Sequence, residues 1–299
     1  MKRFIGMFHA LPLLMVLAIV NASWAFEVRL PVGGVERRAI IVNPPSEGLK
    51  RPAVLVLHGG NGSAESQRQR TGFDQVAFRE GFMVVYPEGT PWGGGRHAWN
   101  TGYLQRRQVG HADDIGFLDA LIELLVDRHG ADPARIYMTG GSNGGMMTFV
   151  YGVKRADRLA AIAPVVGAMF SFVDQPSRPL PILMINGAAD AEVPIEGGMS
   201  RNQVVRSAQA APFKPLNQTV SFWVTANRSH ATPLVEIQGT ITTRTYTAST
   251  GGAVTISLVD AVGGHGWPGT DPRRPGNTPI QGFQGAERIW LFFKEHQRH

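Results

Sequence analysis

Apolar positions along this chain fall into two alternating patterns. Short, nearly continuous apolar runs at residues 38–42, 53–58, 82–86, 136–139, 159–166 and 182–186 read as strands, most of them too uniformly apolar to expose a face. Between them lie segments with helical spacing. Residues 114–129 place Leu118, Leu121, Ile122 and Leu125 on one face, with Asp113 or Asp114 at the start and Gly130 just past the end. Residues 146–154 and 218–226 read as helices. So does 284–297, with Ile289, Trp290, Phe292 and Phe293 turned inward. Residues 241–247 and 253–259 alternate like paired strands around Ser249-Thr250-Gly251-Gly252, which predicts a hairpin. Strand and helix in alternation imply βαβ units, hence one α/β domain with a mostly parallel central sheet and helices on both faces. The Gly- and Pro-rich stretches 89–95 and 268–279 read as surface loops.

The first 25 residues do not fit that pattern. Lys2 and Arg3 precede an apolar run at 10–20, and Ala22-Ser23-Trp24-Ala25 puts small residues where a signal peptidase cuts. The run is shorter than the ~20 residues a membrane span needs. Cleavage after Ala25 is expected, giving a secreted chain with residues 26–299 as one domain; an uncleaved anchor is the alternative. No cysteine follows to carry a lipid.

Charge and composition then narrow the chemistry. Loss of Lys2 and Arg3 takes the formal charge from +6 to +4, and no block of five like charges occurs, so nucleic-acid binding is not indicated. The absence of cysteine excludes disulfides, thiolate metal sites, iron–sulfur clusters and cysteine nucleophiles.

The chemistry-bearing segment is Gly140-Gly141-Ser142-Asn143-Gly144, between the 136–139 strand and the helix that follows. A Gly-x-Ser-x-Gly sequence at a strand-to-helix turn is what a nucleophile elbow requires, so Ser142 is the candidate nucleophile. A serine hydroxyl needs an imidazole to take its proton, and the imidazole needs a carboxylate to hold its tautomer. In chain order serine, acid, histidine, Asp190 follows the 182–186 strand and His265 sits in Gly263-Gly264-His265-Gly266-Trp267. Glu192 and Glu196 are substitutes farther from the strand end. His58 and His97 precede the serine, His230 lies in a polar loop, and His296 and His299 are terminal. The N–H of Asn143 is the first candidate oxyanion donor. Gly60, or else Asn61, in the loop 57–62 is the second. His58 reads as a residue that stabilises that loop, His111-Ala112-Asp113-Asp114 as a helix start rather than a metal site, and Arg106-Arg107 as a solvated loop.

Several segments stand together in one order. They are Leu57-His58-Gly59-Gly60, Tyr86-Pro87-Glu88-Gly89, Ala98-Trp99-Asn100, Asp113-Asp114-Ile115-Gly116, Gly140 through Met147, Asn186-Gly187-Ala188-Ala189-Asp190 and Gly264-His265-Gly266-Trp267-Pro268-Gly269. In them the chain resembles the secreted polyhydroxybutyrate depolymerases and feruloyl esterases, over essentially all of residues 26–299. The resemblance implies an α/β-hydrolase fold, no metal, no organic cofactor, and Ser142, Asp190 and His265 as the triad. Such proteins commonly carry cysteine pairs; Ser229 and Ser249 stand where one pair is expected. Polymer depolymerases often append a binding domain, and none follows the last helix here, which favours soluble esters. The expected partner is a small or oligomeric ester: a hydroxyalkanoate oligomer, a feruloyl ester or another short-chain ester. Trp99, Met146 and Trp267 could line its pocket, although Trp267 could equally pack its own loop. The alternatives are a serine peptidase or acyltransferase on the same fold, or an inactive exported binding protein.

Overall fold

In a computed structural model of the chain, which describes residues 24–44, 50–103, 109, 111–171, 174–270 and 278–298, a ten-stranded sheet runs through the molecule. The expected leader falls outside the described residues, apart from Trp24 and Ala25.

The chain enters through β1 (Ala25–Val32) and β2 (Val35–Val42), an antiparallel hairpin. The core strands are β3 (Arg51–Leu57), β4 (Met83–Pro87), β7 (Ala131–Gly141), β8 (Ala161–Val165), β9 (Ile182–Gly187) and β12 (Thr255–Asp260). They pair in parallel in the order β4-β3-β7-β8-β9-β12. The β1-β2 hairpin flanks β4. At the far side β11 (Ile241–Tyr246) and β10 (Leu234–Gln238) extend the sheet antiparallel from β12. β4 and all of β8 and β9 are buried, as a parallel sheet covered on both faces demands.

The covering helices divide between the faces. On one lie α3 (Asp114–Arg128), α4 (Asn143–Lys154) and α6 (Leu216–Ala226), which bury Phe117, Leu121, Leu125, Phe149 and Trp223. On the other lie α2 (Phe73–Glu80) and α7 (Gly285–Phe293), burying Phe73, Val76, Trp290 and Phe293. Stacking of Trp290 on Phe82 at 3.9 Å and of Phe293 on Tyr137 at 4.8 Å fixes α7 to the sheet.

Two departures from the sequence expectation have local causes. The stretch 89–95 is not a simple loop: β5 (Thr90–Gly93) and β6 (Arg96–Ala98) pair as a small hairpin, whose glycines disguise it in the sequence. Helix α1 (Ala64–Thr71) has no apolar stripe, and it starts on a capping box in which Ser63 and Ser66 satisfy each other's backbone. Of the two aspartates offered as the cap of α3, Asp113 takes that place, accepting from the Gly116 N–H at 2.8 Å. The Arg106-Arg107 pair and residues 271–277 of the expected loop at 268–279 lie outside the described residues.

At the two serines that stand where a cysteine pair was expected, the loops are joined by hydrogen bonds. Ser229 Oγ donates to the Ala253 carbonyl at 2.8 Å, and Ser249 Oγ donates to the Arg228 carbonyl. Between them Asn227, fully buried, accepts from the Leu180 N–H at 2.7 Å and donates to Thr255 Oγ1 at 2.9 Å. Replacing Asn227 by Ala would strand a buried N–H, so Asn227→Ala should lose about 2–3 kcal/mol, or about 5–10 °C in melting temperature by calorimetry. A change under about 0.5 kcal/mol, the range of ordinary surface substitutions, would show that this network does not replace a cross-link.

Candidate active site

β7 and α4 meet at Ser142, which has φ 55 and ψ −120. A non-glycine residue in that region carries strain, held here by its neighbours. The Ser142 N–H donates to the Val165 carbonyl at 2.9 Å, and its own carbonyl accepts from the Met146 N–H at 2.8 Å. The flanking glycines are sterically required. A Cβ on Gly144 would sit 2.5 Å from the carbonyl oxygens of Leu57 and His58, and one on Gly140 would sit 2.7 Å from the Gly144 backbone. The elbow is thus pressed against the carboxyl end of β3.

The structure brings Ser142, Asp190 and His265 into one hydrogen-bonded chain at the carboxyl ends of β7, β9 and β12. His265 Nε2 lies 2.8 Å from Ser142 Oγ, and His265 Nδ1 lies 2.7 Å from Asp190 Oδ2. Asp190 is 2% exposed, and its other oxygen accepts from the N–H groups of Glu192 and Val193, both at 2.8 Å. That arrangement suits a proton on Nδ1, donated to Asp190, and a bare Nε2 facing the serine hydroxyl. Burial by itself depresses the His265 imidazolium. The charge and hydrogen bond of Asp190, with Glu192 adding, outweigh it, so the group titrates above the usual histidine value.

Beside the elbow, the loop after β3 is built on a different histidine. His58 is fully buried, its Nδ1 lies 2.7 Å from the Gly59 carbonyl, and its Nε2 accepts from the Gly89 N–H at 2.9 Å. Burial pushes its pKa down to about 4, so it is a neutral brace. Trp99 locks the same loop, donating its indole N–H to the His58 carbonyl at 2.9 Å. The Asn143 side chain clamps Trp99 in turn: it accepts from the Trp99 N–H at 2.7 Å and donates to the Trp99 carbonyl at 3.2 Å. Asn61 gives its N–H to the His97 carbonyl at 2.9 Å, which leaves Gly60 as the donor this loop can offer. Gly60 faces Asn143 closely, a Cβ on it falling 3.7 Å from Asn143 Cβ.

The aromatic candidates sit lower than the sequence suggested. The expectation that Trp99 lines a substrate pocket is corrected, because its ring is fully buried beneath the rim. Trp267 is 4% exposed, with its ring over Gly141 and edge-on to Phe73, so it packs its own loop. Met146 is buried among Phe170, Val193 and Phe213. Sequence reasoning missed the side-chain clamp of Asn143 and the buried Arg37–Asp114 pair at 2.6 Å, which also holds the Asn100 N–H. An open groove of about 790 Å³ between α6 and β11–β12 borders none of the three triad candidates. Among the described residues no group of His, Asp and Glu converges as a metal-ligand set.

The model of the Esterase PHB depolymerase family matches residues 38–195, just over half of the chain. The chain belongs to that family. "Putative esterase NocK" of Nocardia uniformis subsp. tsuyamanensis is 31% identical over 239 residues, 75% of this chain and 68% of that protein. Feruloyl esterase B of Piromyces equi is 33% identical over 172 residues, 55% of this chain but only 31% of that protein, so this chain spans about a third of its length. Among solved structures, the acetyl xylan esterase from Aspergillus awamori superposes with a TM-score of 0.62 at 14% identity, covering 90% of this chain and 99% of that one. At that identity the likeness speaks for the fold alone. The family member described here is therefore a carboxylic ester hydrolase on an α/β-hydrolase fold.

The strain at Ser142 can be tested apart from activity. Glycine accepts the φ of 55 that alanine resists. Ser142→Gly should therefore be more stable than Ser142→Ala by about 1 kcal/mol in urea denaturation. A less stable glycine variant would contradict the strained elbow.

Proposed function

We propose that the chain is an exported, single-domain serine esterase that works through an acyl-enzyme, with Ser142 as nucleophile, His265 as general base and acid, and Asp190 as its orienting carboxylate. The observation that carries the reading is the continuous chain of 2.8 and 2.7 Å contacts from Ser142 Oγ through His265 to Asp190. His265 Nε2 takes the hydroxyl proton as Oγ adds to the ester carbonyl carbon. The oxyanion lies between the N–H groups of Asn143 and Gly60, at the amino end of α4. The imidazolium then protonates the departing alkoxide, and the alcohol leaves the acyl group on Ser142. Water enters, loses a proton to Nε2 and adds to the acyl carbon. Collapse returns the proton to Oγ and frees the acid. No metal or organic cofactor takes part.

The substrates we infer are short-chain and hydroxycinnamoyl esters or hydroxyalkanoate oligomers. The family description and the names of the relatives, an esterase and a feruloyl esterase, support that range. The basic and apolar segment ending at Ala25 supports export and a mature domain of residues 26–299. No helix among the described residues is long and apolar enough to cross a membrane.

The test is an ester panel from acetyl to octanoyl, with methyl ferulate and a hydroxybutyrate oligomer, on wild type and Ser142→Ala together. The substitution should remove about 10³-fold or more of kcat/KM; equal turnover by both proteins would refute Ser142 as nucleophile. Only neutral His265 can accept the serine proton. Since Asp190 holds its pKa above the ordinary histidine value, kcat/KM should fall as pH drops through a value above ~6.5. Asp190→Asn should lower the plateau and move that limb to lower pH; an unmoved limb would separate it from His265.

A further inference from the structure

The nitrogen of His265 that faces Ser142 has a second acidic neighbour. Glu192 Oε2 stands 3.5 Å from His265 Nε2, on a side chain 18% exposed. Its backbone is not loose, because the N–H groups of Glu192 and Val193 both donate to Asp190 Oδ1. One turn after β9 therefore presents two carboxylates to one ring, Asp190 at Nδ1 and Glu192 at Nε2. The two nitrogens do different work. Nδ1 keeps its proton throughout, while Nε2 receives the serine proton, passes it to the alcohol and takes the next one from water. A charge beside Nε2 thus borders the space where the alcohol leaves and water arrives.

We propose that Glu192 determines specificity on the alcohol side of the ester, disfavouring alcohols that carry negative charge and favouring neutral or cationic ones. This rests on Ser142 and His265 acting as proposed above. The same carboxylate supports the imidazolium while the alkoxide is protonated. Among the described residues, Asp190, engaged at Nδ1, and Arg70, which approaches from α1 with the opposite sign, also bear on the ring. At His265 the influence of Glu192, which raises the pKa, exceeds that of Arg70, which lowers it.

The experiment compares kcat/KM for acetylcholine, the neutral 3,3-dimethylbutyl acetate and the anionic 3-sulfopropyl acetate. Wild type should disfavour the anionic ester against the neutral one by about tenfold, the scale of a like charge placed at the edge of a partly shielded site. Glu192→Gln should cut most of that gap and move the acid limb of the neutral ester to lower pH, because the imidazolium loses a stabilising charge. Glu196→Gln removes the same charge from an exposed carboxylate paired with Arg201 at 3.3 Å and should leave both readouts unchanged. Without any substitution, raising the salt concentration should narrow the wild-type gap. Glu192→Gln with wild-type discrimination and an unmoved acid limb would overturn the proposal, as would a wild type indifferent to alcohol charge. Turnover of none of the three esters above Ser142→Ala would instead count against the esterase reading on which it rests.

Discussion

Everything at this site depends on how closely α4 approaches the end of β3. The Gly144 α-carbon faces the carbonyls of Leu57 and His58 with no room for a methyl group, and Gly140 closes on Gly144 in the same way. That contact turns the chain from β7 into α4 within one residue, forces Ser142 to φ 55, and aims the amino end of α4 at the loop carrying Gly60. A helix amino end carries unpaired N–H groups and partial positive charge, so an oxyanion is favoured where the turn places it. The proposed nucleophile and the proposed oxyanion donors are therefore one steric construction rather than two separate sites.

Two buried histidines flank that construction, and their environments drive them apart. Both lose hydration, which favours the neutral ring. His58 meets a carbonyl and a backbone N–H, titrates near 4 and stays a fixed brace. His265 meets Asp190 and Glu192, and its imidazolium is supported instead. The same residue type thus serves as scaffold on one side of Ser142 and as the proposed proton carrier on the other, according to how closely carboxylates or backbone groups engage its ring. Around His58 the bracing is polar throughout: Trp99 bonds His58, Asn143 bonds Trp99, and Asp114 joins Arg37 to the Asn100 N–H.

The parallel strands were legible because burial on both faces leaves an uninterrupted apolar run, as in Val54-Leu55-Val56-Leu57. The elbow was legible because steric demand restricts its flanks to glycine. Less was visible where stability comes from hydrogen bonds instead of apolar contact. Helix α1 is polar on every side and rests on its Ser63 cap, and β10 is exposed along its whole length. Spacing places Trp99 near the rim but does not say how deep it lies, since depth follows from the clamp of Asn143 on its backbone. Glu192 looked like a spare acid because sequence distance from Asp190 says nothing of which ring nitrogen its carboxylate reaches. Ser229 and Ser249 marked the right loop, while Asn227, which ties it, carries no pattern by which to find it.

The most direct test of the account is peptide mapping by mass spectrometry after treatment with a fluorophosphonate, on wild type and His265→Ala. The account predicts a single adduct on the peptide carrying Ser142 in wild type, formed far more slowly when the imidazole is gone. An unmodified Ser142 in protein that still hydrolyses esters, or an adduct on another residue, would contradict it.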